Sequence, residues 1–257
     1  MAQQPTASQN TTPGDADIVQ YSLSQILAVW AAATLPMGLL AWVFAPWLRD
    51  QLGGEEPLAR ALLIVLTAGL IWQFVLVAIL VGREQGTLHW SRVRDALWLR
   101  PPRDPKTGRV GGKTWLWILP FVVLLGLLEA IPGIPGPTSR DFSAFVTSDR
   151  GEEFFSGAWG WFALIIVLQL FNTVLGEELL FRGLLLPRMR GVFGRRDWIA
   201  NGVLFGVYHL HIPWSIPSSL VSGTLLFAYP SQRFRSAWMG IIVHSAQSVV
   251  ATSVVLA

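Results

Sequence analysis

Apolar residues fill this chain in long unbroken runs, not in the alternating or one-faced patterns of a soluble fold. Seven runs stand out, at roughly 22–48, 58–82, 114–131, 158–187, 198–212, 214–230 and 236–256. Such runs predict helices bathed in lipid, because a perpendicular span needs about 20 apolar residues at a rise of about 1.5 Å each. The third, fifth and sixth are short by that measure, and Pro213 and Pro217 crowd the junction of the fifth and sixth. A short helical hairpin sheltered by its neighbours tolerates these breaks. The pattern therefore predicts an all-α fold, a polytopic membrane helical bundle with about seven transmembrane helices. Residues 1–20 read as a flexible polar tail, since Asp15 and Asp17 are present but no Lys or Arg. Residues 21–110 read as a two-helix membrane region with a basic loop, and residues 111–257 as the remaining five runs.

Composition agrees with the pattern. Hydrophobic residues make up 52% and charged residues only 14%, against roughly 25% charged in a soluble domain. The chain has no cysteine, which excludes disulfides, thiolate metal sites and cysteine nucleophiles. A pI near 9.8 raises the question of nucleic acid, but the basic residues lie in loops between apolar runs. They read as membrane topology, with the bilayer as partner and no nucleic acid. Of the 19 Lys plus Arg, fourteen fall in the loops 83–113, 188–196 and 231–235, and four (Arg49, Arg60, Arg140 and Arg150) fall in the opposite loops. The positive-inside rule puts the amino terminus and the basic loops in the cytoplasm, and with seven spans the carboxyl terminus outside.

The remaining basic residue is Arg182, inside the fourth run. Of the 16 acids only Glu129, Glu177 and Glu178 lie inside a predicted span. Glu129 is near the outer end of its run, within reach of the interface. The segment "NTVLGEELLFRGLLLP" has no such exit, and a charge at mid-bilayer costs about 2.5–3.5 kcal/mol or more. Glu178 and Arg182 are spaced i, i+4 and share a helix face, so they can pair. Glu177 points about 100° away and is left without a local partner, the state that suits a general base. A buried ion-pair knot that only fixes helix packing and a proton-coupled transporter are the alternatives.

Histidines extend the site. His89 belongs to a basic loop. His211, next to Pro213, sits at the outer end of its run and reads as an interface residue. His209 and His244 lie deep. Counting about 1.5 Å per residue from the cytosolic charges, Glu177, His209 and His244 all fall roughly 14–18 Å below the cytosolic edge. Two hydrolytic schemes fit a shared level. Glu177, His209 and His244 can bind Zn²⁺ and activate a water, although no HExxH spacing is present. Alternatively Glu177 is itself the base, His209 holds the water and His244 stabilises the oxyanion, with Ser248 one turn further on as a second donor. Ser245 and Ser248 offer no nucleophile elbow for a serine mechanism.

EExxxR at residues 177–182, FxxxH at 205–209 and the late membrane His244 resemble, in this order and spacing, the CPBP intramembrane proteases, which include the CAAX prenyl proteases. The resemblance covers roughly residues 110–256 and makes 111–257 a CPBP-like protease core. It implies a helical bundle with a conical cavity open to the cytosol and the membrane, in which Glu177 activates water, Glu178 and Arg182 support it, His209 orients the water and His244 lies in the oxyanion hole. The implied activity is an intramembrane endopeptidase acting on peptide or protein substrates at the membrane, including prenylated CAAX-type ones, by a metal-free glutamate mechanism. Many members have HxxxN in the last helix where this chain has Ser248. That departure keeps open a non-proteolytic scaffold or immunity protein on the same fold.

Overall fold

The computed structural model describes residues 18–137 and 140–256, with side chains as far as Gln247. Residues 1–17 of the expected tail and the Ser248 side chain thus lie outside the described residues. Among those described, the regular structure is helical, apart from one isolated bridge between Arg103 and Val110. Each of the seven apolar runs forms a helix. They are α1 (Leu23–Leu52), α2 (Pro57–Gln85), α3 (Gly112–Glu129), α4 (Trp159–Arg188), α5 (Asp197–Tyr208), α6 (216–234) and α7 (Ala237–Leu256). The first four are long and apolar enough to cross a membrane. Their outward faces expose large apolar side chains such as Leu35, Val123 and Leu127, each more than 60% exposed. Lipid, not water, is the solvent such a surface fits, and the chain is an integral membrane protein.

Local chemistry sets the helix ends. Ser22 and Gln25 form a reciprocal capping box at the start of α1, with the Ser22 amide donating to Gln25 Oε1 at 2.8 Å. Pro57 opens α2, where its missing N–H costs nothing, and Gly86 closes it at φ 64°. At α5 the pattern runs on to residue 212, but the helix stops at Tyr208. Ile212 is extended (φ −139°) ahead of Pro213, whose ring disfavours a helical residue before it. His209–His211 and Pro213–Ser215 are tight single turns instead.

Close backbone approach joins α5 to α6. A Cβ on Gly202 would collide with Thr224, and one on Gly206 would lie 3.0 Å from the Leu220 Cα. This is the small-xxx-small spacing that lets helices touch in lipid. A single buried cluster then runs through the bundle from Tyr21 to Val243, with Phe181, Phe205, Tyr208 and Phe227 at its centre. A second, smaller one (Leu63, Phe155 and Ile165) gathers Phe142, Phe145, Phe154 and Trp161 under the short helices Phe142–Val146 and Asp149–Phe155 between α3 and α4.

One charge departs from the loop count. Arg188 belongs to the basic loop by sequence, yet the structure buries it completely. Its guanidinium donates to Glu84 Oε2 at 2.6 Å and to the carbonyls of Ala96 (3.0 Å) and Leu184 (2.8 Å). Tyr21 joins the same knot through Glu84 and through its own amide, which donates to Arg188 O at 3.0 Å. Burial became affordable because a carboxylate and two carbonyls satisfy the charge.

Candidate active site

The segment carrying the acids is not a regular α-helix. Gly176 N donates to Phe171 O at 2.6 Å, an i→i+5 bond, and the wide turns Phe171–Leu175 and Leu179–Leu185 flank Glu177 and Glu178. Such π-bulges inside helices are common at functional sites, because they re-aim side chains without ending the helix. Gly176 is required where it stands. A Cβ there would press on Phe171 O and lie 3.0 Å from Leu70 O of α2.

Glu178 and Arg182 are fully buried and paired at 2.8 Å, as their spacing predicts. Arg182 also donates to Gly223 O at 3.1 Å and lies 4.1 Å over the Phe205 ring. His244 Nδ1 lies 3.0 Å from Glu178 Oε1. A carboxylate accepts, so Nδ1 carries the proton and Nε2 is directed elsewhere. The His244 ring stacks on Phe227 at 4.6 Å. Gly240, one turn before His244, leaves room for this cluster, since a Cβ there would be 2.7 Å from Glu178 Oε2.

Glu177, His209 and His244 line one cavity of about 700 Å³. His209 Nδ1 donates to Phe205 O at 2.8 Å, leaving Nε2 as an acceptor. His209 is the first residue beyond α5 and not a mid-helix residue, so its ring is freer to turn into the cavity. Ser248 lies one turn after His244 on α7, and only its backbone is described.

Three residues of the cavity region belong to none of the motifs that the sequence spacing carries. Tyr208 is fully buried, accepts from Gln73 Nε2 at 2.7 Å, and its hydroxyl interacts with the Glu177 carboxylate. Gln73 comes from the middle of α2, 135 residues earlier in the chain, and is also fully buried. The third, His211, corrects the reading of an interface residue. It is 8% exposed, lines the cavity and stacks on His209 at 5.5 Å. The turn at His209–His211 curls the chain back inward, which a continued helix would not do. The polar Gln73, unusual in an apolar run, was the one available clue.

Among the described residues no three His, Asp or Glu side chains group closely enough to hold an ion.

Residues 159–250 match the Rce1-like family. The model is described as type II CAAX prenyl endopeptidase Rce1-like, and it spans α4 to α7, the helices that carry Glu177, Glu178, Arg182, His209 and His244. It agrees with the resemblance carried by EExxxR, FxxxH and the late histidine. No curated protein and no solved structure matches the chain. Gln73 lies outside the Rce1-like region, so part of the polar network around Glu177 is supplied by α2.

Proposed function

We propose that the protein is an intramembrane endopeptidase that hydrolyses a peptide bond with water activated by Glu177. The observation that carries this reading is the convergence of Glu177, His209 and His244, from α4, the turn after α5, and α7, on one buried cavity within an Rce1-like region.

In this mechanism the Glu177 carboxylate takes a proton from water as the oxygen attacks the scissile carbonyl carbon. His209, held by Phe205 O, offers its Nε2 lone pair to the second water hydrogen and fixes the attack direction. The carbonyl electrons move to oxygen, and His244 stabilises that oxyanion. To donate from Nε2 while Nδ1 donates to Glu178, the ring must carry both protons. The Glu178 carboxylate 3.0 Å away offsets that charge, and Arg182 holds Glu178 in place. Glu177 then passes its proton to the leaving amine as the C–N bond breaks. Ser248 is assigned the second oxyanion donor. No metal takes part, and the basic loops face the cytoplasm.

The test is cleavage of a quenched-fluorescent peptide library by purified protein in detergent. Glu177→Gln keeps the size of the side chain and removes the base. We expect a loss of at least about 10²-fold, the usual worth of a general base, at an unchanged melting temperature. Chelators should leave the wild-type rate unchanged. Equal cleavage by wild type and Glu177→Gln sinks the proposal, and loss of activity on chelation sinks its metal-free form.

A further inference from the structure

A second cavity, of about 640 Å³, shares no lining residue with the one around Glu177. Four arginines line it: Arg190, Arg195, Arg233 and Arg235. It sits where helices end. Arg190 and Arg195 follow α4, Arg233 is in the last turn of α6, and Arg235 joins α6 to α7. Trp198, in the first turn of α5, completes one wall.

Like charges repel, so four guanidinium groups stay together only where the backbone holds them. Arg235 ends α6 at φ 49°, a left-handed conformation that is uncommon for a residue with a Cβ and that clusters at functional sites. Its carbonyl accepts from Arg100 Nε at 3.3 Å. On either side of it, Arg103 N donates to Phe234 O at 2.8 Å and Ser236 Oγ donates to Arg100 O at 2.6 Å. The segment carrying Arg233 and Arg235 is thus clamped to the basic loop 83–113, and both arginines are half-buried.

Acids do not balance the set. Among the described residues the lining holds no Asp or Glu. Asp197 acts on Arg190, and Asp104 acts on Arg233. Asp197 is buried outside the lining and accepts the Trp198 amide at 2.8 Å. Asp104 accepts the amides of Lys106 and Thr107 at 2.8 and 3.0 Å. The cavity therefore stays positive, and the planar forks of arginine match the oxygens of a phosphate.

The surroundings decide what carries that phosphate. Trp198 and Tyr229 line the same cavity and meet edge to face, with ring centroids 5.2 Å apart. Such amphipathic rings favour the boundary between hydrocarbon and water. Ile199, beside Trp198, is 39% exposed, and Leu225, one turn before Tyr229, is 50% exposed. Apolar surface fit for acyl chains therefore begins where the arginines end. A free phosphate uses only the charged half of the site, and a phospholipid uses both.

We propose that this cavity binds the phosphate headgroup of an anionic phospholipid, with the acyl chains along the apolar faces of α5 and α6. The site does not depend on the hydrolase reading. A bound headgroup bridges the ends of α4, α5 and α6 and so stabilises the fold.

The test follows the melting temperature of the full chain, purified in neutral detergent and stripped of lipid, as lipid is added. Phosphatidylglycerol should raise it saturably by at least about 3 °C, and phosphatidylcholine should raise it less. The paired change Arg195→Gln with Arg233→Gln should raise the apparent Kd for phosphatidylglycerol at least about tenfold. The pair Arg83→Gln with Arg92→Gln removes the same charge from exposed positions outside the cavity and should leave that Kd unchanged. If the cavity pair does not fold, Arg195→Gln alone, at an exposed position, should still raise it about threefold. Equal rises with the two lipids, no rise with either, or equal losses in the two pairs overturn the site. Inorganic phosphate at the same concentration separates the sources. It should give no rise, and a rise equal to that with phosphatidylglycerol overturns the lipid in favour of a soluble anion.

Discussion

Replacing Tyr208 with phenylalanine takes away one oxygen and the two contacts it makes, one with Gln73 and one with Glu177. The ring stays packed against Phe181 and His209, so the change isolates the hydroxyl. A buried hydrogen bond to a charged group is worth about 1.5–3 kcal/mol, or roughly tenfold or more in rate. We expect Tyr208→Phe to lower kcat by that order with little change in KM, and to displace the pH–rate profile. An unchanged profile and kcat would make Tyr208 a packing residue only. Glu178 and Arg182 were legible from the sequence because their contact is local, four residues along one helix. Tyr208 and Gln73 were not, because their bond spans 135 residues and neither belongs to a spacing motif.

At the scale of the helix, the wide turns on both sides of Glu177 matter more than any intrinsic helix preference. Gly176 sits between Phe171 O and the backbone of α2 at Leu70. A methyl group there forces α4 away from α2, the helix that supplies Gln73. Overpacking of this kind costs about 1–3 kcal/mol. Gly176→Ala should lower the melting temperature in detergent and also reduce activity, since the displaced residue adjoins Glu177. Loss of stability with full activity would show that the wide turn has no part in aiming the carboxylate. The apolar runs predicted each helix because burial in lipid imposes length and composition. They did not predict the π-bulges or the early end of α5. Both depend on what the neighbouring backbone and Pro213 allow at that point.

Across the whole molecule, the knot of Tyr21, Glu84 and Arg188 ties the start of α1 to the ends of α2 and α4. Glu84→Gln leaves the Arg188 guanidinium buried without its counter-ion, a loss of about 3–5 kcal/mol, readable as a large drop in melting temperature. Alkaline pH should weaken the same knot. Burial, then the hydrogen bond to Glu84, pushes the Tyr21 phenol above its ordinary value of 10.0. The fold thus favours the neutral phenol. Its stabilisation is complete below about pH 10 and is lost as pH rises beyond that, because only the unfolded phenol ionises readily. Tyr21→Phe should flatten this alkaline decline, and an identical decline in wild type and variant would refute it.

Sequence alone determined the helical membrane class and the ion pair of Glu178 with Arg182, and it set the expectation that Glu177, His209 and His244 share a level. All three follow from one-dimensional quantities: run length, i, i+4 spacing, and a fixed rise per residue counted from the loops. Tertiary structure decided the rest. It buried Arg188, turned His211 inward, and brought Gln73 and Tyr208 to Glu177. Those facts depend on which faces of different helices meet, and a depth count carries no information about that.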